Sequence, residues 1–370
     1  MANSTLGIIF SNIRQSNVPE LSKGRTTASI PFAGRYRLID FALSNMVNAG
    51  VTAVGIVTKN NYQSLIDHLG SGKDWDLARK GGGIILLPPY SSEGEVPYNS
   101  RLEALKGIVG FLNHRREEYV VIYDCDGVAR IDIADFLRFH EYNNADISMV
   151  YHEEKSVESH NYLTLATDAT GRVKTVNVNP NLDGSTFNLY VNVMAIRREL
   201  LLDIIQDSVQ RGYNSLGKDV LAKNVETLRI FGYKFDGYYA GIDSLQSYFK
   251  HSMEQLDKNI RDELFGARDI YTKVRDSAPS KYLDGATVTN SLISDGCTIE
   301  GTVENSILFR GVKVGKGSVV KNSIIMQKTV IGSNVSLDCV ITDKNVVISD
   351  RRHLAGCEEL PYFIAKGRMI

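Results

Sequence analysis

Two carboxylates, Asp124 and Asp126, stand at the end of the apolar run "YVVIYD" in this chain of 370 residues. Carboxylates at the carboxyl end of a buried strand are natural ligands for Mg²⁺, and a metal that bridges phosphates usually needs another carboxylate from elsewhere in the chain. Asp243 offers one, although its position before Ser244 favours a helix N-cap instead. Asp124 and Asp126 also have an alternative, because they can cap a turn with Gly127. The residues alone support a metal site and a capped turn about equally.

Arg35 and Arg37 are a second candidate group. They follow the turn "PFAG" at Pro31–Gly34 and precede an amphipathic run that begins at Leu38. The planar guanidinium of arginine matches the geometry of phosphate oxygens, so both residues are candidates for binding an anionic metabolite or effector. The alternative is that they form ordinary surface ion pairs, and the sequence favours neither interpretation.

The segment after the first apolar run is where a phosphate-binding loop is expected. Such a loop needs glycines, because they let backbone N–H groups approach the phosphates closely. The six positions there are Ser11, Asn12, Ile13, Arg14, Gln15 and Ser16, and none of them is glycine. The branched side chain of Ile13 would occupy the space of a triphosphate, so the sequence predicts an ordinary polar surface loop.

Composition and charge exclude several functional classes. The formal charge of −1 argues against binding to nucleic acid and against a polybasic membrane patch. No apolar run approaches the roughly 18–20 residues of a membrane span, and the N-terminus lacks the basic region of a signal peptide. The cysteines are far apart in the sequence, at Cys125, Cys297, Cys339 and Cys357. We therefore expect a cytoplasmic protein without a structural zinc site.

The elements that must position these residues follow two patterns. Up to about Phe265, runs rich in β-branched residues alternate with segments of helical period, which predicts an α/β fold with a largely parallel sheet. The predicted strands begin near Leu6, Val51, Tyr119 and Ala145, and the predicted helices span Phe41–Gly50, Arg101–Glu118 and Ile133–Ala145. Ligands of such sheets bind at the carboxyl ends of the strands, which is where the candidate carboxylates lie.

From about Ser280 to Val347 the helical period disappears and a short repeat takes its place. "NSLI", "NSIL" and "NSII" begin at Asn290, Asn305 and Asn322. Repeats of this length are typical of a β-helix, whose stacked coils bury a continuous core. We expect a scaffold or assembly surface, since this stretch lacks the histidine that acyltransferases of this type use.

These segments give the chain a resemblance to a known family. The stretches "PFAGRYRLIDFALSNMVNAGV", "WDLARKGGGIILLPPY" and "GKDV", together with the C-terminal β-helix, resemble the sugar-phosphate nucleotidyltransferases, specifically ADP-glucose pyrophosphorylase (glucose-1-phosphate adenylyltransferase). The resemblance implies a Rossmann-like, GT-A-like domain with a mostly parallel mixed sheet over 1–265, a linker over 266–279, and a left-handed parallel β-helix over 280–370. The family converts ATP and glucose 1-phosphate into ADP-glucose and pyrophosphate, with Mg²⁺.

Several positions depart from the family pattern. Asp126 keeps the metal-type carboxylate, and Ser100-Arg101 takes the place of a Gly-Thr pair. The replaced groups are the glycines of the phosphate loop at Asn12, Ile13 and Gln15, its arginine at Asn17, two phosphate-binding lysines at Thr27 and Asn179, a histidine at Gly127 and the second metal carboxylate at Gly241. Removing one group that stabilises transition-state charge costs about 10²–10³ in rate, so the resemblance implies a chain without turnover, without catalytic residues and without a metal of its own.

The resemblance extends to a paralogue of some Gram-positive bacteria that is not catalytic, assembles with the catalytic subunit and raises its activity. It implies a hetero-tetramer with that subunit, which would hold the Mg²⁺, or a homo-oligomer when alone. It also implies a phosphorylated sugar effector near Arg35, such as fructose 1,6-bisphosphate. Two alternatives are a weakly active nucleotidyltransferase that uses Asp124 and Asp243, and a sugar-phosphate-sensing scaffold without an enzyme partner.

Overall fold

A mixed β-sheet forms the centre of the first part of the computed structural model, which describes residues 4–12, 18–89, 98–156, 162–181 and 184–370. The strands of this α/β part are β1 (Thr5–Phe10), β2 (Pro31–Phe32), β3 (Tyr36–Arg37), β4 (Ala53–Val57), β5 (Gly83–Leu87), β6 (Tyr119–Asp124), β7 (Gly127–Ala129), β8 (Ile147–Glu154), β9 (Leu163–Thr167), β10 (Val173–Val178), β11 (Phe187–Arg197), β12 (Ile230–Lys234) and β13 (Tyr239–Gly241). The α-helices are α1 (Pro19–Ser22), α2 (Leu38–Asn48), α3 (Gln63–Leu69), α4 (Arg101–Gly107), α5 (Val109–Asn113), α6 (Ile133–Tyr142), α7 (Arg198–Gln210), α8 (Leu245–Met253) and α9 (Lys258–Phe265). Short 3₁₀ turns span Thr27–Ser29, Lys73–Trp75 and Glu254–Leu256, and a π-helical turn spans Leu216–Leu221.

The order of the main sheet is β10-β9-β11-β6-β1-β4-β5, with β8 bonded to β11 and β12. Strands β6, β1, β4 and β5 run parallel, whereas β11 is antiparallel to β6. Strands β1, β4 and β6 are buried throughout, as expected when helices cover both faces of a parallel sheet. This confirms the predicted α/β architecture and places the carboxyl end of β6 in the middle of the sheet.

One predicted helix is wrong in its extent. The helical pattern over Arg101–Glu118 predicted a single helix, but the structure has α4 and α5 with a break at Ile108, and α5 ends at Asn113. Glycines flank this break at Gly107 and Gly110, and glycine costs about 1 kcal/mol relative to alanine inside a helix. The apolar period continues across the break, and that continuity caused the error.

The C-terminal part is a left-handed β-helix, as predicted, and it extends past Val347 to the end of β28. Its strands are β14 (Lys281–Tyr282), β15 (Thr287–Thr289), β16 (Leu292–Ile293), β17 (Thr298–Ile299), β18 (Thr302–Glu304), β19 (Ile307–Leu308), β20 (Lys313–Val314), β21 (Val319–Lys321), β22 (Ile324–Ile325), β23 (Val330–Ile331), β24 (Ser336–Asp338), β25 (Val340–Thr342), β26 (Val347–Ile348), β27 (His353–Ala355) and β28 (Tyr362–Ile364). Every third strand pairs in parallel, which gives three flat sheets around one core.

The repeated Asn-Ser pairs form one corner of this β-helix. Asn290, Asn305 and Asn322 adopt left-handed φ values of 41°, 47° and 46°, which asparagine tolerates better than most residues. Their side chains form a ladder, because Nδ2 of each donates to the carboxamide of the next coil over 2.9 Å and 2.7 Å. Asn322 continues the ladder to Asp338 Oδ1 over 2.9 Å. The repeat "NS" therefore sets the turn and bonds consecutive coils together.

The two apolar residues after each Asn-Ser corner pack on opposite faces of their sheet. In β19, Leu308 points into the β-helix and Ile307 points to the α/β part, and β22 repeats the pattern with Ile325 and Ile324. The outward residues Ile307 and Ile324 are fully buried, and each buried isoleucine is worth about 1.5–3 kcal/mol. The hairpin of β2 and β3 also contacts this sheet, since Ser294 Oγ donates to the Gly34 carbonyl over 2.9 Å. The α/β part and the β-helix thus share one continuous apolar core.

The segment 266–279, predicted as a linker, contacts helix α2. The Tyr271 N–H donates to Ser44 Oγ over 2.8 Å, and Asn48 Nδ2 donates to the Asp269 carbonyl over 3.0 Å. A search for helices with the length and apolar character needed to cross a membrane found none in the part of the chain that the structure describes.

Candidate functional site

The carboxyl end of β6 holds the first candidate carboxylate, Asp124, in a buried ion pair. Arg101, the first residue of α4, donates from Nε to Asp124 Oδ2 over 2.7 Å, and its Nη2 contacts the same oxygen. Each of the two side chains keeps only 9% of its accessible surface. Burial lowers the pKa of Arg101, but the nearby Asp124, Tyr190 and Asp126 outweigh burial and hold that pKa above its ordinary value. Asp124 therefore serves an ion pair, which neither interpretation of the sequence foresaw.

Asp126 lies two residues further, next to two paired glycines. Its Oδ2 accepts a hydrogen bond from Asn192 Nδ2 over 2.7 Å. Strands β7 and β13 pair so that Gly127 is opposite Gly241. A Cβ atom on Gly127 would meet the Tyr239 ring at 2.8 Å, and one on Gly241 would meet it at 3.6 Å. The ring of Tyr239 thus covers the two positions that carry a histidine and a metal carboxylate in the family pattern.

These residues do not fit a divalent cation. Mg²⁺ is usually held by one or two carboxylates and several waters, whereas Arg101 already places a positive charge on Asp124, Asn192 donates to Asp126 Oδ2, and Gly241 offers no second metal carboxylate. No group of three or more His, Cys, Asp or Glu side chains that could hold a metal ion occurs in the described ranges. No catalytic step through a metal follows from this arrangement.

Asp243 does not act as the helix cap that its position predicted. The N-cap of α8 is Ser244, whose Oγ accepts from the Ser247 N–H over 2.8 Å. Ser247 Oγ accepts in return from the Ser244 N–H over 2.9 Å, which completes a capping box. Asp243 lies near Tyr239, and burial together with Asp126 and Asp243 raises the pKa of that phenol well above its ordinary value.

The other replaced positions are occupied by neutral side chains with local roles. Asn12 donates from Nδ2 to the Asn60 carbonyl over 3.0 Å and accepts from the Lys59 N–H. Thr27 begins a 3₁₀ turn and is half-buried. Asn179 has a left-handed φ of 50° and exchanges hydrogen bonds with the backbone of Tyr162. The predictions for Ile13, Gln15 and Asn17 lie outside the described residues.

Asn179 borders a small cavity of about 180 Å³, here called the strand-end cleft. It is lined by Asn99, Ser100, Arg101, Tyr162, Leu163, Val178, Asn179, Ser215, Leu216 and Gly217. Pockets for small molecules commonly measure about 300–1,000 Å³. Arg101 is the one cation among these lining residues, and Asp124 already neutralises it. The cleft therefore has little room and little positive charge for a nucleoside triphosphate.

A second cavity of about 300 Å³, here called the junction pocket, lies where the β-helix meets the α/β part. Seven of its lining residues are cationic and one is a carboxylate, Asp295. The cations are Arg35, Arg37, Lys273, Arg275, Arg310, Lys328 and Lys344, and the neutral lining includes His68, Gln327 and Asn345. Arg310 Nε donates to Asp295 Oδ1 over 3.0 Å, so the acid neutralises one cation and leaves six. Such a concentration of positive charge favours an anionic ligand.

The structure brings both predicted arginines into the junction pocket, in different roles. Arg35 is exposed, and its guanidinium carbon lies 5.7 Å from the centre of the Tyr36 ring. Arg37 is buried and donates from Nη1 to the Ser64 carbonyl over 2.6 Å. Burial and the neighbouring Arg25 and Arg275 lower the pKa of Arg37 to about 10, despite the opposing effect of Asp40. With the residues that the structure describes, neither arginine forms the surface ion pair that was the alternative interpretation.

Sequence reasoning missed the β-helix half of the junction pocket. Arg310, Lys328 and Asn345 lie on neighbouring coils at one corner, since the Lys328 N–H donates to the Arg310 carbonyl over 3.0 Å and the Asn345 N–H donates to the Gln327 carbonyl over 2.9 Å. The sequence does contain a signal, because Arg310 and Lys328 are spaced by about one coil of the repeat. The repeat alone does not show that this corner faces Arg35.

Lys344 is the most perturbed cation of the junction pocket. Burial, Arg37 and Arg25 lower the pKa of its amine to about 7, with a further contribution from Lys366, and Asp343 opposes them. The amine therefore changes charge near neutral pH. A bound anion would favour its protonated form.

A wider groove of about 600 Å³ adjoins the junction pocket and shares Arg35, Tyr36 and Asp295 with it. The Tyr36 and Phe265 rings stack in its wall with 4.9 Å between their centres. Charged and apolar surfaces thus meet at Arg35, so a ligand of the junction pocket can extend onto an aromatic surface.

Comparison with known proteins shows which family the sequence and the fold of this chain resemble. Residues 16–257 match the family model described as "Nucleotidyl transferase", and residues 278–358 match the model described as "GlmU-like, C-terminal hexapeptide". The first model covers the mixed sheet except β1, together with the strand-end cleft, and the second covers most of the β-helix.

Individual relatives match over almost the whole chain. A protein named "Glycogen biosynthesis protein GlgD" from Geobacillus stearothermophilus is 39% identical, with 99% of this chain and 97% of that protein covered. The protein of the same name from Bacillus subtilis (strain 168) is 36% identical, with 99% and 96% covered. A glucose-1-phosphate adenylyltransferase from Fervidobacterium nodosum is 30% identical, with 94% and 84% covered. The chain therefore belongs to the nucleotidyl transferase family, among the glycogen biosynthesis proteins related to glucose-1-phosphate adenylyltransferases.

Proposed function

We propose that this chain is a non-catalytic regulatory subunit of glucose-1-phosphate adenylyltransferase, which assembles with the catalytic subunit in the cytoplasm and activates it in glycogen biosynthesis. The reaction of the assembly is ATP + glucose 1-phosphate → ADP-glucose + pyrophosphate. The Mg²⁺ that this reaction needs is held by the catalytic partner, and the assembly is a hetero-tetramer.

The observation that carries this proposal is the distribution of positive charge. Nucleotidyl transfer needs cations against the developing phosphate charge. Among the described lining residues of the strand-end cleft, Arg101 is the one cation, and Asp124 neutralises its charge. The junction pocket offers seven cations around about 300 Å³. A chain whose cationic groups lie in the junction pocket rather than in the cleft is suited to sensing a phosphorylated sugar rather than to converting one.

The placement of the junction pocket supports a role in regulation. A ligand there contacts the hairpin of β2 and β3, the segment after α9 and the corner of the β-helix together. Such a ligand can therefore change how the α/β part packs against the β-helix. A non-catalytic subunit acts on its partner only through such a bias in conformation, transmitted across an interface.

The test is to purify the chain alone and together with a catalytic glucose-1-phosphate adenylyltransferase subunit. Pyrophosphate release is measured for each sample, and the mass of the complex is measured by light scattering. We expect a stable complex with a higher kcat than the catalytic subunit alone, and no Mg²⁺-dependent turnover by the lone chain.

Two outcomes would favour the competing functions. Robust Mg²⁺-dependent turnover by the lone chain would mean that it is an active nucleotidyltransferase. Anion binding in the junction pocket with no complex and no effect on the catalytic subunit would mean that the chain is a sensing scaffold. Fructose 1,6-bisphosphate and inorganic sulfate serve as the anionic probes in these assays.

A further inference from the structure

The carboxyl end of β6 carries two acidic side chains where the family pattern has a metal-type carboxylate, and Arg101, which lines the strand-end cleft, supplies a cation beside Asp124. Asp124 ends β6 and pairs with the Arg101 guanidinium, and Asp126 follows two residues later. Both carboxylates favour the charged form of Arg101 and help to hold its pKa above the ordinary value. Arg101 is 8% exposed and contacts Asp124 through two of its nitrogens. A carboxylate this buried needs a counter-charge, because an isolated buried charge is costly.

The groups present match a guanidinium better than a divalent ion. Asp124 Oδ2 accepts both Arg101 contacts, and Asp126 Oδ2 accepts from Asn192 at 2.7 Å, so these two oxygens face planar N–H donors. Asp124 Oδ1 is buried without a hydrogen-bond partner among the described residues, so it is the oxygen that a cation could reach if Arg101 lost its charge. A divalent ion that keeps several waters needs only one or two carboxylates from the protein, so the missing side chain at Gly241 weakens such a site, and the positive charge of Arg101 beside Asp124 opposes it directly.

We infer that the Arg101 guanidinium is a built-in cation that takes the electrostatic place of a divalent metal ion in this cleft and keeps such ions out. Its position is set by helix α4, which begins at Arg101 and is capped by Ser100 through the Glu103 N–H over 3.1 Å. On this inference, two features act against a metal ion. One is the missing carboxylate at Gly241, and the other is the contact between Arg101 and Asp124. This inference concerns the chain alone and holds with or without a catalytic partner.

A change of charge at Arg101 separates this role from a structural one. Arg101→Gln keeps a planar N–H donor for Asp124 and removes the positive charge, which leaves two carboxylates without their counter-charge. Arg101→Lys keeps the charge and loses the planar geometry. If Arg101 excludes metal by charge, Arg101→Gln gains a cation site and Arg101→Lys does not. If Arg101 only supports the fold, both variants lose stability and neither gains a site.

The experiment measures Mn²⁺ binding by electron paramagnetic resonance on the full chain, with circular dichroism as the check of folding. We expect Arg101→Gln to bind one Mn²⁺ per chain at least tenfold more tightly than the wild type, and to gain thermal stability when Mn²⁺ is added. Adding Asp126→Asn to Arg101→Gln should abolish this gain. Arg115→Gln is the matched control, because it leaves a single carboxylate, Glu117, without its arginine outside the cleft.

Two results would overturn the inference. One is a folded Arg101→Gln chain that binds Mn²⁺ no better than the wild type. The other is a wild-type chain that already binds one Mn²⁺ and loses it with Asp126→Asn. If Arg101→Gln does not fold, Arg101→Met takes its place in the same measurement, and a folded Arg101→Met chain that binds Mn²⁺ no better than the wild type overturns the inference in the same way.

Discussion

Arg25 and Asp343 are 318 residues apart in sequence and form a buried ion pair between the α/β part and the β-helix. Arg25 Nη2 donates to Asp343 Oδ1 over 2.7 Å, and each side chain keeps only 4% of its accessible surface. Arg25 lies two residues before Thr27, which replaces a phosphate-binding lysine of the family pattern, and Asp343 precedes Lys344 of the junction pocket. The pair is therefore a direct contact through which a change in the junction pocket can reach the α/β part.

The first prediction concerns the stability that this ion pair provides. Asp343→Asn leaves Arg25 buried without a carboxylate and near Arg37 and Lys344, so we expect a loss of about 3–5 kcal/mol in the free energy of unfolding. Removing both charges, in Arg25→Met with Asp343→Leu, should cost less than the single change, because no buried charge is left unpaired. Urea denaturation of the three chains, followed by circular dichroism, measures the difference. A double variant less stable than Asp343→Asn would contradict this account of the pair.

The second prediction is a pH dependence of anion binding. The pKa of Lys344 is lowered to about 7, so its amine is neutral above that pH and becomes charged as the pH falls through 7. A bound anion favours the charged form, and a shift of one pKa unit corresponds to about 1.4 kcal/mol, or tenfold in affinity. Sulfate keeps its charge between pH 6 and 8, and we expect it to bind about tenfold more tightly at the lower pH. Isothermal titration calorimetry measures this affinity.

Lys344→Met is the control for the second prediction, because it removes the titrating amine. Its affinity for sulfate should be lower at pH 6 and nearly constant up to pH 8. His68 also lines the junction pocket, but burial lowers its pKa below 6.5 despite the opposing effect of Asp40, so its change of charge falls at more acidic pH. A pH dependence that persists in Lys344→Met would assign the effect to another group.

The sequence predicted the elements better than the contacts between them. The "NS" repeat and the strand–helix alternation specify local structure, and both architectures followed from them. Asp124 and Arg37 were ambiguous because their roles depend on partners that are distant in sequence, namely Arg101, 23 positions away, and Ser64, 27 positions away. Periodicity shows which face of an element is buried, and it carries no information about which charged side chains meet when separate elements pack.

The third prediction concerns the asparagine ladder at the corner of the β-helix. Asn305 has a φ of 47° and takes part in two ladder hydrogen bonds, to Asn290 and Asn322. Asn305→Ala loses both bonds, at about 1 kcal/mol each, and forces alanine into a left-handed conformation at about 1–2 kcal/mol. We therefore expect a loss of about 3–4 kcal/mol. Asn305→Gly adopts the conformation freely and should cost about 1 kcal/mol less. Thermal and urea denaturation compare the two, and equal losses would mean that backbone conformation contributes nothing.

The last prediction connects the junction pocket to the proposed activation of a catalytic subunit. Arg35 is exposed where the junction pocket meets the adjoining groove, so reversing its charge should weaken binding of a phosphorylated effector while leaving the buried core intact. For Arg35→Glu in the assembled complex, we expect the concentration of fructose 1,6-bisphosphate that gives half-maximal activation to rise at least tenfold, or about 1.4 kcal/mol.

Lys313→Glu is the matched control for that experiment, since Lys313 is an exposed cation of the β-helix outside the junction pocket. It changes the net charge of the chain by the same amount and should leave the half-maximal concentration within about twofold of the wild type. Equal shifts in both variants would indicate a general effect of charge on the complex, and unchanged activation of Arg35→Glu would remove the junction pocket from the regulation of the partner. A shift confined to Arg35→Glu would require the effector to bind on this chain, because the catalytic subunit is the same in both complexes.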